Sequence, residues 1–349
     1  FHAANVERQH RSPHGLSATA THDTKRSEDV RARINVLSEF PGEWRKRVAR
    51  WQRLNRRHRT MVDGAPVPGP AEEYFVYQTL VGAWTITLER FQAYLGKAIR
   101  EAKLHTSWIN PSPRYDAAML GFAERILDPR RSRQFLGDFT AFHARVAHFG
   151  AVNSLAQTLI KIMAPGVPDF YQGTELPELS LVDPDNRRPV DFATRRKALD
   201  ALLADLRSTP DLAALARDLW KCREDGRVKL YVIASGLAFR RAHARLCRDG
   251  DYLPVEVVGP FAEQVCAFLR MGPEGAALTV VPRLTARRGI EEPLGPEYWS
   301  DTHLSVPAAA GARFCNVFTG ELVDAPGGAM AVGHALTSFP VALLERQDA

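Results

Sequence analysis

Between residues 71 and 163, apolar side chains recur every three or four positions, and any fold of this chain must house that helical block. Tyr74, Tyr77, Val81, Trp84, Leu88, Phe91 and Leu95 predict a long amphipathic helix, or two abutting ones, over 71–104. The same spacing predicts helices over 115–127, 132–149 and 151–163, marked by Phe122, Phe139 and Leu159 among others. The pattern differs on both sides. Residues 16–22 alternate Ala18 and Ala20 with Thr19 and Thr21, the period of a strand, and a helix follows over 27–37. After the block, two prolines and two glycines frame a very short strand within 164–175, and helices are expected over 193–207 and 211–222. From Val228 onward, short β segments at 228–235, 252–258, 264–270, 277–282, 312–318 and 339–345 suggest an antiparallel β-sandwich.

Composition sets wide bounds. The 349 residues suffice for two domains or one large one, and 45% hydrophobic with 25% charged residues is ordinary for a globular chain with a real core. No apolar run reaches membrane-spanning length, so no membrane partner is expected. The start, Phe1-His2-Ala3-Ala4-Asn5, has neither a signal-peptide pattern nor an initiator Met and reads as cut from something longer. Cys222, Cys247, Cys266 and Cys315 lack CxxC spacing, so free thiols in a reducing, cytoplasmic setting are expected. Residues 1–15 read as a polar, His-rich stretch, and His2, His10 and His14 lack ligand spacing, so no metal is expected there. A net charge of +6 permits an acidic partner without requiring one. The basic helix over 43–59 is the best nucleic-acid candidate, but Trp44, Val48, Trp51 and Leu54 form a core stripe and its arginines a solvated face, so no nucleic acid is expected. Residues 62–70, with three prolines and two glycines, read as a loop.

Three stretches carry chemistry. In residues 17–31, a strand-like start runs into His22, Asp23, Lys25, Arg26, Glu28 and Asp29. Polar groups just past a strand are the layout of a β/α barrel active site. The same residues also suit a helix start, with Asp23, Thr24 or Ser27 as cap and Glu28 and Asp29 against the helix dipole. Residues 100–111 form a polar, Trp108-bearing, Pro-ended segment between helices. It suits substrate contacts or a capped helix end with its Trp tucked in. In residues 181–191, Arg187 and Arg188 lie beside Asp183, Asp185 and Asp191. That set reads as an ion-pair knot or as donors and acceptors for sugar hydroxyls.

The string from Thr21 to Arg31 resembles the fourth signature region of the α-amylase superfamily, in the version of its maltooligosyltrehalose synthase family. Residues 98–111, 160–175 and 181–191 resemble that family too, and the likeness runs from residue 17 to about 345. It implies α/β plus all-β architecture: the C-terminal part of a (β/α)8 barrel with a long α-helical insertion, followed by an antiparallel β-sandwich. The divisions would be barrel strand seven and following helices (1–70), the insertion (71–163), barrel strand eight and closing helices (164–224), and the sandwich (225–349). By resemblance, Asp23 is the third carboxylate, which binds the transferred sugar and stabilises positive charge, and His22 hydrogen-bonds the same sugar. Lys25 holds the leaving-side sugar, with Arg187, Arg188 and Asp185 as further substrate contacts and no cofactor or metal.

The resemblance further implies an intramolecular transglucosylase acting on maltooligosaccharides. The nucleophile and acid/base motifs of that superfamily are absent from these residues. The missing N-terminal part of the same enzyme would supply them, and the fragment would be inactive alone. Its unpaired strand edges would favour artefactual self-association. The rival readings are a non-catalytic maltooligosaccharide-binding module, a nucleic-acid-binding protein and a glucan hydrolase.

Overall fold

Six C-terminal strands form one antiparallel sheet, ordered Leu322–Asp324, Arg313–Asn316, Ala342–Arg346, Gly275–Pro282, Val265–Gly272 and Asp251–Pro254. The central strands are apolar on both faces, and the two-residue period divides them cleanly. Ala267, Leu269, Leu278, Val280, Ala342 and Leu344 enter one apolar cluster. Phe268, Ala277, Val281 and Leu343 enter the other, together with helix residues such as Leu159, Trp220 and Tyr231. The first cluster also takes Leu304 and Met330 from a three-stranded sheet made of Ala329–Ala331, His303–Ser305 and Glu256–Val258. Arg270 interrupts the apolar run. It is 1% exposed and donates to the Cys247 carbonyl at 2.9 Å.

This computed structural model describes residues 1–289 and 292–347. It contains two compact units. The first comprises Phe1–Ala20, Ala151–Pro177 and Val190–Ala349, and the second Thr21–Gly150 and Glu178–Pro189. No helix among the described residues is long and apolar enough to cross a membrane.

In the first unit, Leu16–Ala18 pairs in parallel with Val167–Asp169, placing Leu16 opposite Val167 and Ala18 opposite Asp169. The expected strand over 16–22 is therefore only three residues long. The expected β segment at 228–235 is a correction: it lies inside the helix Arg227–Ala242. Its alternating Val228, Leu230 and Val232 look strand-like, yet Tyr231 and Ile233 are buried as well, and a helix buried on most sides loses its apolar periodicity. Residues 1–15 also contain a helix, His2–Arg11, which packs Val6 against the second cluster and hydrogen-bonds the sheet, His2 Nδ1 to the Tyr252 hydroxyl at 2.8 Å and Gln9 to Asp251 at 3.1 Å.

The second unit is helical. Residues 71–104 form two helices, Pro70–Ala83 and Leu88–Ala102. The expected helices over 132–149 and 151–163 run on without a break between them, inside Pro129–Met163, which is interrupted only by a kink at Ser132 (φ -129, ψ 31); residues up to Gly150 lie in this unit. Trp51 is fully buried, with Tyr77, Phe135, Phe139 and Phe142 at centroid distances of 5.4–5.8 Å, and its indole N–H donates to Asp138 at 2.7 Å. Trp44 and Val48 share that side of the helix Pro41–Asn55. The helices Glu28–Val36 and Pro70–Ala83 meet at Gly82, where a Cβ would lie 2.6 Å from Val30. The expected loop over 62–70 includes half of a hairpin, Thr60–Val62 with Ala65–Val67, turned by Asp63 and Gly64 at φ 48 and 83.

Candidate active-site loop

The loop after Ala20 turns on itself through two threonines. Thr21 N–H donates to Thr24 Oγ1 at 2.9 Å, and Thr24 N–H returns to the Thr21 carbonyl at 3.2 Å. The chain then runs antiparallel to residues 180–186. Val182 N–H donates to the Lys25 carbonyl at 3.1 Å, and Ser27 N–H to the Ser180 carbonyl at 3.0 Å. Arg26 bridges to Leu181, and Asn186 Nδ2 donates to the His22 carbonyl at 2.6 Å. Ser27 occupies the cap position of Glu28–Val36, but its hydroxyl donates to the Glu178 carbonyl instead of the helix. Asp29 accepts from Glu178 N–H at 2.7 Å. The first turn of that helix thus anchors the neighbouring segment.

This bracing leaves His22, Asp23 and Lys25 exposed on one short loop. Among the described residues, neither the Asp23 carboxylate nor the Lys25 ammonium makes a side-chain hydrogen bond or ion pair. Arg26 turns inward, donating to Gln78 at 2.7 Å and Thr79 at 3.1 Å, with its guanidinium 5.5 Å from the Phe75 ring centroid. Burial pushes the nearby Tyr94 phenol up, against the pull of the Arg26 charge. A cavity of about 560 Å³ lies here, lined by Thr24, Lys25, Arg26, Phe75, Tyr94 and Lys97 among others.

Beside the loop, Arg187, Arg188 and Asp185 divide. The Asp185 side chain is 1% exposed and takes both guanidinium arms of Arg90, at 2.7 and 2.9 Å, plus Leu181 N–H at 2.8 Å. Burial pushes its carboxyl up, but the Arg90 hydrogen bonds, the Leu181 amide and the Arg90 and Arg188 charges outweigh this and hold it below the usual range. Of the two readings of residues 181–191, this enclosure matches the ion-pair knot at Asp185. Arg188 donates to the Asp185 carbonyl at 3.0 Å and to the Ser180 hydroxyl at 3.0 Å. Arg187 stays exposed and pairs with Asp183 at 2.6 Å. Sequence reading missed Arg90: 95 positions separate it from Asp185, and no local pattern links them.

The other flagged segment also resolves. Residues 107–110 close a turn, with Ser107 N–H donating to the Asn110 carbonyl at 3.1 Å and Asn110 N–H to the Ser107 hydroxyl at 2.9 Å. Trp108 is 59% exposed, not tucked in.

Two Mycobacterium tuberculosis proteins named "Putative maltooligosyl trehalose synthase", from strains CDC 1551 / Oshkosh and H37Rv, are each 35% identical to this chain over its whole length. The structure of maltooligosyltrehalose synthase from Arthrobacter ramosus superposes with a TM-score of 0.80 at 33% identity, covering 99% of this chain and 40% of that one. The chain is homologous to part of the maltooligosyltrehalose synthases. A crystal structure described as a hypothetical maltooligosyl trehalose synthase of Sulfolobus tokodaii matches at TM-score 0.71 and 28% identity, with the same coverage of both chains. The chain spans 40% of the length of the curated relatives it matches. No protein-family model matches it.

Proposed function

We propose that this chain is the C-terminal part of a maltooligosyltrehalose synthase, an intramolecular transglucosylase that converts the reducing-end α-1,4 link of a maltooligosaccharide to an α,α-1,1 link. The observation that carries this reading is the similarity over the whole chain, together with a braced loop presenting His22, Asp23 and Lys25. The parallel pair Leu16–Ala18 and Val167–Asp169 supports barrel strands seven and eight, and the two C-terminal sheets sharing one apolar cluster support a β-sandwich. Under this reading residues 71–163 are the helical insertion, and the free thiols fit a cytoplasmic enzyme.

The chemistry assigned to the loop is electrostatic and positional. A retaining glycosyl transfer develops positive charge at the sugar ring, and a fixed carboxylate beside it lowers the barrier. Asp23 supplies that charge, and His22 hydrogen-bonds the same sugar. Lys25 and Arg187 grip the released glucose while it turns to attack in place of water. Arg188 and Asp185 act one step back by holding the loop. The nucleophile and the acid/base belong to the part of the enzyme before this chain, so the chain alone does not turn over.

The test uses a protein that carries the preceding part of such a synthase joined to this chain, supplied with maltohexaose. The expected product is non-reducing and of unchanged mass. Asp23→Asn is expected to cut its formation by roughly 10²–10³-fold. Full activity in Asp23→Asn would remove the assignment. The absence of both further carboxylates favours a second reading, a non-catalytic maltooligosaccharide-binding module. That reading predicts tight binding and no non-reducing product even in the longer protein.

A further inference from the structure

The helix Leu88–Ala102 borders a second groove of about 620 Å³, within the roughly 300–1,000 Å³ of ordinary ligand clefts. Gln92, Lys97, Arg100, Glu101, Trp108 and Asp183 help to line it. Trp108 sits at the apex of the closed 107–110 turn, and the Arg100 guanidinium lies 4.9 Å from its ring centroid. Arg100 is itself fixed, donating to the buried Asp116 carboxylate at 3.0 and 2.7 Å. An exposed indole normally forfeits rotamer freedom when it binds something, and this one is already held. Its surroundings are mixed, with Ala93, Leu120 and Pro184 beside the charged and amide groups. Lys97 pairs only loosely, 3.6 Å from Glu101 and 3.4 Å from Asp183, beyond the 2.7–2.9 Å or so of a tight charged hydrogen bond. Lys97 and Glu101 can exchange partners for a hydroxyl at small cost, while Asp183 is held by Arg187 at 2.6 Å through one oxygen and offers the other, Oδ2, which among the described residues only Lys97 approaches.

A pyranose ring has an apolar C–H face and a rim of hydroxyls that both donate and accept. A rigid indole ringed by an ammonium, two carboxylates and an amide matches both features. We infer that the Trp108 groove binds an α-1,4-glucan segment, with Trp108 as the stacking platform and Lys97, Glu101 and Asp183 as hydroxyl partners. The choice of an α-1,4-glucan rests on the function proposed above. Lys97 and Glu101 also line the cavity at Lys25, so one helix borders both.

The experiment titrates this chain with maltoheptaose, followed by calorimetry and by the indole N–H signals in NMR. The signal missing from Trp108→Phe identifies Trp108 and is expected to move on titration, with cellohexaose as a control that leaves it in place. Trp108→Ala is expected to bind maltoheptaose about tenfold more weakly, and Trp108→Phe within about twofold of the parent. Because Trp108 is exposed, unfolding curves for the variants should overlay and exclude a folding defect. An unmoved Trp108 signal, unchanged binding in Trp108→Ala, no maltoheptaose binding at all, or loss of self-association in place of glucan binding would each overturn the inference. None of those results touches the proposed transglucosylation, which is read from the non-reducing product in the longer protein.

Discussion

Arg90 closes both arms of its guanidinium on the Asp185 carboxylate, at 2.7 and 2.9 Å, from 95 positions away. That pair ties the helix Leu88–Ala102 to the segment that braces the Asp23 loop. Removing one partner leaves a charge without its mate in a largely buried place. Arg90→Ala is expected to destabilise the protein by about 3 kcal/mol in urea unfolding. A change below about 0.5 kcal/mol would show that the knot is not structural.

The same carboxylate sets an acid limit. Its folded pKa lies below the ordinary aspartate value, so the unfolded chain takes up its proton first as the pH drops. The stability it contributes is complete above about pH 4 and is lost as pH falls through the lowered folded value. Asp185→Asn is expected to be less stable at neutral pH and to show a shallower loss of stability below pH 4. A parallel pH profile would refute this.

His143 acts over a higher window. Burial, helped by the Arg33 charge, pushes its pKa down to about 3 from the usual 6.5. The unfolded chain therefore binds a proton at His143 between about pH 6.5 and 3 that the folded chain refuses, so stability falls as pH drops through that window. Phe139 and Trp84 are its ring neighbours, so His143→Phe replaces the imidazole with an aromatic ring that cannot titrate in aromatic surroundings. It is expected to flatten the dependence of the melting temperature on pH between 6.5 and 4.

Gly82 is a steric test. A methyl group there would press on Val30 and Ile34 at 2.6 and 3.0 Å. Gly82→Ala gains helix propensity, yet overpacking between the two helices is expected to dominate, for a net loss of about 1–3 kcal/mol in denaturant unfolding.

Lys25 tests the grip on glucose. In the longer protein, Lys25→Ala is expected to raise the share of hydrolysis over transfer, because a loosely held glucose yields to water. Its exposed side chain makes a stability change above about 0.5 kcal/mol unexpected. An unchanged product ratio would remove Lys25 from the mechanism.

What the sequence disclosed followed from local physics. Helices with one apolar stripe, such as Pro41–Asn55, were legible because Trp44, Val48 and Trp51 recur at helical spacing. The helix Arg227–Ala242 was not, because burial on most sides removed its polar face. The hairpin at Asp63-Gly64 carried its turn signal in plain view, masked by the surrounding prolines. In the candidate site, His22, Asp23 and Lys25 stood out by resemblance and occupy one exposed loop. The fate of Asp185 was hidden, since a carboxylate facing sugar and one facing a distant arginine have the same neighbours in sequence.

A sheet that is apolar on both faces gives up an ordinary safeguard. In a one-faced sheet, a slip of one residue throws the core side chains into water. Here a slip of Val265–Gly272 would largely trade one oily layer for the other. Arg270 is what distinguishes the two settings: in register its guanidinium finds the Cys247 carbonyl, and one step out it would face Leu278 and Leu344 in a layer of hydrocarbon. The least sheet-like residue of the strand thus works as a ratchet pawl, making the correct alignment the one from which the strand does not slide.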